Sequence, residues 1–182
     1  MGRTLGKTVV MVGMMGAGKT AVGKALAQRL GVPFRDSDAE IETAANMSVA
    51  EIFARDGEPF FREKESQVLE RLLEEPPGVL STGGGVFLSE RNRKAIAARA
   101  VAVWLRAGQD LLWQRVRHKD TRPLLRTENP RATLAELCAR REPEYAKADV
   151  IVDSAANRSI EEMAARVEAA LEARPDIWKE AR

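Results

Sequence analysis

The stretch GMMGAGKT, at residues 13–20, constrains the fold of this chain more than any other part of the sequence. It matches the pattern G-x-x-x-x-G-K-[ST], in which backbone N–H groups cradle phosphate groups. An apolar, strand-like run at residues 9–12 precedes it, and helical spacing begins at about Gly18. A glycine turn that merely caps a helix is the alternative, but it does not explain the lysine and the threonine together. The stretch therefore predicts a strand–loop–helix unit that binds a nucleoside triphosphate.

Each residue type in this loop has a physical role in such a site. Glycines let the backbone wrap inward, so that several N–H groups and the positive end of the helix dipole converge on one anion. Lys19 supplies a positive charge for the outer phosphates, and the Thr20 hydroxyl is a ligand for Mg²⁺. The nucleotide-binding residues expected here are Gly13, Gly16, Ala17, Gly18, Lys19 and Thr20.

Apolar runs alternate with helical stretches along the rest of the chain. The stretch at residues 22–30 has helical spacing and ends at Gly31, and the stretch at residues 160–171 follows a capping pair, Ser159 and Glu162. Strands that are apolar throughout and alternate with helices predict a parallel sheet covered by helices on both faces. The runs lie at residues 8–12, 78–82, 100–105 and 149–153, with a weaker one at 33–36.

The totals of the chain narrow its class. Its 182 residues contain no linker, repeat or low-complexity tract, which predicts one domain over residues 1–182. The net charge of +2 argues against nucleic acid as the main partner. A single cysteine, Cys138, permits no internal disulfide, and the first apolar run is too short for a signal peptide or a membrane span. We expect a cytoplasmic protein with neither a nucleic-acid nor a membrane partner.

Two carboxylates follow the weaker strand, Asp36 and Asp38 in FRDSD. The carboxyl ends of parallel strands line the ligand crevice of an open sheet. Residues two apart in an extended segment point to the same side, so one carboxylate can face the metal and the other a hydroxyl nucleophile. The alternative is an Asx turn that caps a helix before Ala39. Because the base-reading N-K-x-D motif is absent, a GTPase is not expected.

Three further stretches complete a pattern: SVAEIFARDGEPFFREKE at 48–65, STGGG at 81–85 and TRPLL at 121–125. With GMMGAGKT and DSD, in this order and spacing, they resemble shikimate kinases from about residue 9 to residue 145. The resemblance implies an α/β, nucleoside-monophosphate-kinase-like P-loop fold with a five-stranded parallel sheet. It also implies a substrate-binding region at about 36–65 and a mobile lid at about 115–130. The implied reaction is ATP-dependent phosphorylation of the 3-hydroxyl of shikimate, on the route to chorismate and aromatic amino acids.

The resemblance carries roles for individual residues near the acceptor. Asp38 resembles the aspartate that grips the ring hydroxyls and accepts the reacting proton, and Asp36 resembles the acid that helps to hold Mg²⁺. Arg62 and Arg141 resemble the pair that binds the substrate carboxylate. The glycines Gly83, Gly84 and Gly85 resemble the loop that turns backbone N–H groups toward substrate oxygens.

On the nucleotide side, the resemblance makes Arg122 the lid arginine that reaches the phosphates, and therefore catalytic together with Lys19 and Asp38. An arginine just before the lid contacts adenine, for which we select Arg117 over Arg115. Arg158 is the second candidate for the adenine site.

Physical arguments support part of this assignment. The planar fork of arginine suits a carboxylate, and three glycines leave no side chains in a ligand's way. Considered alone, the glycines are equally consistent with a flexible turn, and Arg62 with a helix residue paired to Glu58 or Glu65. Two other classes remain open: a kinase for gluconate or a nucleoside monophosphate, and a nucleotide-sensing module without chemistry. We expect a monomer, with residues 175–182 as a helix extension or a loose tail.

Overall fold

A computed structural model describes residues 2–118 and 125–181 of the chain. Its first strand, β1 (Arg3–Leu5), lies outside the central sheet. The five parallel strands of that sheet stand in the order β3-β4-β2-β5-β6. They confirm the prediction that the five apolar runs form strands. Their bounds are β2 (Thr8–Val12), β3 (Phe34–Asp36), β4 (Val79–Ser81), β5 (Ala100–Arg106) and β6 (Val150–Asp153).

Helices flank this sheet and complete the α/β fold that the sequence predicts. Helix α1 packs against α8, and α4 packs against α2, α3 and α5. The helices are α1 (Lys19–Leu30), α2 (Ser37–Ala45), α3 (Val49–Asp56), α4 (Glu58–Leu73), α5 (Glu90–Arg99), α6 (Gln109–Val116), α7 (Pro130–Tyr145) and α8 (Ile160–Glu172).

The central strand β2 leads straight into the glycine-rich loop. All its residues are buried, because β4 and β5 flank it and helices cover its faces. Helix α1 then begins at Lys19 and ends at Leu30, and Gly31 caps it with a left-handed φ of 64°, as the sequence predicts. The capping box of Ser159 and Glu162 is also confirmed at the start of α8. The strand–loop–helix unit is therefore present and fixed at the middle of the sheet.

The two ends of the described chain pair with each other. A 3₁₀ turn (Pro175–Ile177) leads into β7 (Trp178–Glu180), which runs antiparallel to β1. Ile177 is fully buried, and the indole Nε1 of Trp178 donates a hydrogen bond of 3.0 Å to the carbonyl of Leu171. The expected tail is thus part of the fold rather than a helix extension or a loose end. Within the described ranges, no helix has both the length and the apolar character that crossing a bilayer requires.

Candidate active site

The glycine-rich loop folds back on its own lysine. Lys19 is only 8% exposed, and its Nζ donates to the carbonyls of Gly13 at 2.6 Å and Met14 at 2.9 Å. Gly16 and Gly18 have φ angles of 81° and 93°, which side-chain-bearing residues rarely adopt. The loop is therefore shaped in advance, with a cation held over it, as a phosphate cradle requires.

A cluster of oxygen atoms lies where α1 leaves the loop. The Thr20 hydroxyl donates a 3.0 Å hydrogen bond to Asp36 Oδ2 and lies 3.2 Å from Ser81 Oγ. The pairing of β3 with β4 places Asp36 opposite Ser81, at the carboxyl edge of the sheet. Hydroxyl and carboxylate oxygens are hard donors, the kind that Mg²⁺ prefers. The chemistry of this set fits the metal that the sequence predicts there.

The prediction that Asp36 and Asp38 point to the same side of one extended segment is wrong. Strand β3 ends at Asp36, and Asp38 already lies in the first turn of α2. Asp36 caps this helix: its Oδ1 accepts a 3.1 Å hydrogen bond from the N–H of Ala39. Because a carboxylate has two oxygens, Asp36 serves both as the cap and as the partner of Thr20. The two carboxylates nevertheless line one cavity.

This cavity, of about 480 Å³, adjoins the glycine-rich loop. The exposed side chain of Ile160, 50% accessible, and Met163 from α8 contribute an apolar wall. Among the described residues, most of the predicted nucleotide-binding set lines this cavity, whereas Gly13 does not. The predicted residues that line it are Gly16, Ala17, Gly18, Lys19, Thr20, Asp36, Asp38, Gly83 and Arg158.

Arg115, rather than Arg117, reaches this cavity. Arg115 Nη1 donates a 3.0 Å hydrogen bond to the carbonyl of Gly16, and its side chain lines the cavity. Arg117 is exposed at the end of α6, and its Nε donates to His118 Nε2 at 3.1 Å. At 3.6 residues per turn, side chains two positions apart point to nearly opposite sides of a helix. Arg122, the expected lid arginine, lies outside the described residues.

A second, smaller cavity surrounds the three glycines that follow β4. Arg62 from α4 and Arg141 from α7 both line it, and Arg141 is only 5% exposed. A Cβ on Gly84 would lie 2.8 Å from Arg141 Nη1, and one on Gly85 would overlap the Arg62 guanidinium. None of the three glycines has a positive φ. They are therefore needed for the close approach of charged side chains, not for a flexible turn.

The pairing of Arg62 with its helix neighbours is present as well. Arg62 Nη2 lies 3.2 Å from Glu58 Oε1, and its Nη1 lies 3.0 Å from Glu65 Oε1. Glu58 is exposed, whereas Glu65 is only 1% exposed, and this burial raises the pKa of the Glu65 carboxyl to about 7. From the sequence, Glu65 is expected only as a neighbour of Arg62. Its position three residues after Arg62, on the same helix face, is the signal that places it in the site.

Tyr145 is a second residue that the sequence analysis missed. Its hydroxyl donates a hydrogen bond to the carbonyl of Gly84, and its fully buried ring packs 5.7 Å from the Trp104 ring. Burial raises the pKa of this phenol to about 12, so it remains a proton donor at neutral pH. The tyrosine thus anchors the glycine loop at Gly84. Only this contact, between residues far apart in the chain, reveals that role.

The two cavities meet at Asp38 and Gly83, which line both of them. One cavity presents a phosphate cradle, and the other presents two arginines. An anionic triphosphate and an acidic acceptor bound in them would face each other across the Asp38 carboxylate. Such an arrangement suits phosphoryl transfer, in which positioning and cations do most of the work.

Comparisons with known proteins agree with this geometry. A family model described as "Shikimate kinase" matches residues 15–172. A curated protein of that name from Ruegeria pomeroyi is 66% identical over 173 residues, which are 95% of this chain and 89% of the relative. A shikimate kinase structure from Acinetobacter baumannii, solved in complex with shikimate, has a TM-score of 0.89 at 35% identity, covering 93% of this chain and 94% of that one. The structure from Bacteroides thetaiotaomicron has a TM-score of 0.84 at 32% identity, covering 94% and 99%.

Proposed function

The chain belongs to the shikimate kinase family, and we propose that it works by binding ATP and shikimate in two adjoining cavities that meet at Asp38. The reaction is the ATP-dependent phosphorylation of shikimate. We place the transfer at the 3-hydroxyl, which gives shikimate 3-phosphate on the route to chorismate. The observation that carries this proposal is that Asp38 and Gly83 line both the cavity beside the phosphate loop and the cavity beside the arginines.

The phosphate loop binds the triphosphate tail. Backbone N–H groups at the start of α1 point toward this tail, and Lys19 adds a positive charge that its own loop already holds in place. Negative charge spreads over the transferring phosphoryl oxygens in the transition state, so a fixed cation stabilises it more than it stabilises bound ATP. Arg122 approaches the same phosphates from the lid.

At the base end of the nucleotide, Arg115 and Arg158 flank the adenine. Arg115 takes the place of Arg117 in this proposal, because it lines the cavity and contacts the carbonyl of Gly16. A guanidinium stacks favourably on an aromatic face. Ile160 offers an apolar surface in the same cavity.

Thr20 and Asp36 are the residues that would hold Mg²⁺, Thr20 through its hydroxyl and Asp36 through a bound water. When bound, the metal neutralises phosphate charge and orients the terminal phosphates. The 3.0 Å contact between Thr20 Oγ1 and Asp36 Oδ2 keeps both oxygens at one point of the cavity.

The acceptor's carboxylate binds between Arg62 and Arg141, whose forks each offer paired N–H groups. The backbone N–H groups of Gly83, Gly84 and Gly85 turn toward substrate oxygens. Asp38 binds the ring hydroxyls and orients the one that reacts. Phe53 and Phe61 line the same cavity, with their ring centroids 4.8 Å apart, and provide a surface for the acceptor's ring.

In the transfer, the 3-hydroxyl oxygen forms a bond to the γ-phosphorus while the bond from phosphorus to the bridging oxygen breaks. ADP departs with that bridging oxygen, and Asp38 accepts the hydroxyl proton. Closure of the lid, at about residues 115–130, excludes water that would otherwise hydrolyse ATP.

The test is to offer ATP and Mg²⁺ with shikimate, gluconate and AMP separately, and to follow ADP release. We expect turnover with shikimate and only background release with the other two. Release with gluconate or AMP that equals the shikimate rate would overturn the acceptor assignment. Failure with all three acceptors would favour the nucleotide-sensing alternative.

We further propose that residues 1–182 form one kinase domain that acts as a cytoplasmic monomer, without a nucleic-acid or membrane partner. The net charge of +2 supports the absence of a nucleic-acid partner, and the single cysteine is consistent with a reducing compartment. Light scattering coupled to size exclusion tests the oligomeric state, and a mass above that of one chain would contradict it.

A further inference from the structure

Beside the carboxylate clamp, defined as Arg62 and Arg141, lies an acid that the phosphorylation chemistry leaves without a role. Glu65 is 1% exposed, and its two oxygens lie 3.0 and 3.3 Å from Arg62 Nη1. It lines the acceptor cavity together with both arginines. A carboxylate buried this deeply needs partners to remain charged, and here its partner is one of the groups that the substrate needs.

A second carboxylate, that of Asp38, lies close to Glu65 beside Gly83. A Cβ on Gly83 would lie 3.0 Å from Asp38 Oδ1 and 3.2 Å from Glu65 Oε2, so α2 and α4 direct their acids at the same glycine. The charges around Glu65 are therefore Arg62 on its own helix, Asp38 from α2 and Arg141 from α7. Glu58 is the outer, exposed partner of Arg62. Around this cavity, the two positive charges of the clamp therefore stand against the two carboxylates of Asp38 and Glu65.

An acidic acceptor upsets this balance. Its carboxylate adds a third negative charge to a small buried space that holds two arginines. Like charges that share a site raise each other's pKa, and desolvation does the same, until one group takes up a proton. Glu65 is the group most ready to do so, because burial already raises the pKa of its carboxyl to about 7.

We propose that Glu65 is the exchangeable counter-ion of the clamp: ionised and paired with Arg62 in the empty enzyme, it takes up a proton when the acceptor's carboxylate takes over that arginine. The inference rests on the proposed function, which assigns Arg62 and Arg141 to the acceptor. Glu65 is thus a positioning residue that holds the Arg62 fork in place without competing as a permanent anion.

Proton linkage fixes the direction of the pH dependence. Below about pH 7 Glu65 is already protonated in the empty enzyme, so the acceptor binds with full affinity and no proton is taken up. Above that pH the proton has to come from solution, and the dissociation constant rises by up to about tenfold per pH unit. The rise ends where the pH passes the higher pKa that Glu65 has in the complex.

The experiment is calorimetry of shikimate binding to the nucleotide-free enzyme, in pairs of buffers that differ in ionisation enthalpy. At about pH 8 we expect the wild type to take up a large fraction of one proton per shikimate, and at about pH 6 very little. Glu65→Gln should show no uptake at either pH and a dissociation constant independent of pH between them. Glu58→Gln is the matched control, because it removes the exposed partner of Arg62 and should keep the uptake.

Asp38→Asn separates the two buried acids without relying on the folding of Glu65→Gln. It should bind shikimate more weakly, yet keep the uptake and move it to lower pH, because the negative charge of Asp38 raises the pKa of Glu65. No uptake by the wild type at about pH 8, uptake that survives Glu65→Gln, or uptake lost in Asp38→Asn would each overturn the proposal. Arg62→Ala with unchanged shikimate affinity would instead refute the clamp itself, so the two failures are distinguishable.

Discussion

Arg141 Nη1 occupies the space into which a side chain on Gly84 would project, since a Cβ there would lie only 2.8 Å away. Gly84 thus admits a charged side chain to its backbone. The arginine comes from α7, is 5% exposed and has little room to move aside. The glycine and the arginine both line the cavity that is proposed for the acceptor.

Gly84→Ala should therefore damage acceptor binding by displacing Arg141. Charge-assisted hydrogen bonds contribute about 1.5–3 kcal/mol each, so we expect the KM for shikimate to rise by roughly 10- to 100-fold, with a smaller change in the KM for ATP. Gly108→Ala is the control, since nothing lies within 4 Å of a Cβ at that position. Steady-state kinetics with each substrate varied in turn measures both. An unchanged shikimate KM in Gly84→Ala would remove Arg141 from the clamp.

Lys19→Ala should lower kcat by about 10²- to 10³-fold, because it removes a positioned cation from the transferring phosphoryl group. Lys24 is exposed on the same helix, so the control variant Lys24→Ala should retain normal turnover.

Arg122→Ala should also abolish most turnover and leave the melting temperature unchanged. Near-normal rates in the Lys19 or the Arg122 variant would refute the role of that residue.

Asp36→Asn tests the metal site without removing the helix cap. Asparagine can still accept the hydrogen bond from the Ala39 N–H, but it loses the negative charge that faces Thr20. We expect the Mg²⁺ concentration at half-maximal rate to rise by about tenfold, in line with roughly 1.4 kcal/mol lost with the charge. The melting temperature should stay close to that of the wild type. A Mg²⁺ dependence identical to the wild type would exclude Asp36 from the metal site.

Arg115→Ala and Arg117→Ala compare the two candidates for the adenine contact. Loss of a stacked guanidinium costs about 1 kcal/mol, so Arg115→Ala should raise the KM for ATP by about fivefold. Arg117→Ala should leave that KM within error, because its side chain is exposed and contacts His118. The reverse result would restore the assignment expected from the sequence.

The stability of the fold should depend on Glu65 in a defined pH range. The pKa of Glu65 is about 7 in the folded chain, above its ordinary value of 4.5, so the native state binds the extra proton between these values. Stability from this group is complete below about pH 4.5 and is lost as the pH rises toward 7, by on the order of 3 kcal/mol. The free energy of unfolding of the wild type should therefore fall relative to that of Glu65→Gln over this range. Denaturant titrations of both proteins at several pH values measure this difference, and a constant difference would contradict the buried, titrating acid.

Features of this protein that depend on neighbouring residues could be predicted from the amino-acid sequence alone. The apolar runs predicted all five strands: β2 and β4 are buried along their whole length, whereas β3 and β6, at the two edges of the sheet, are only partly buried. The glycines, Lys19 and Thr20 predicted the phosphate loop, because its geometry is set within eight residues. The capping box at Ser159 followed from the same local logic. Resemblance in spaced motifs then added the acceptor and the arginines that are proposed to bind it.

Which side chains meet depends instead on how segments far apart in the chain pack together. Asp38 reaches the shared cavity from the first turn of a helix, not from a strand, because Asp36 caps that helix. Arg115, rather than Arg117, lines the cavity beside the loop, because helix geometry and not distance along the chain decides which of them faces it. The roles of Glu65 and Tyr145 became visible only when α4 and α7 packed around three glycines. Burial and charge at a site come from segments distant in the chain, and no local pattern records them.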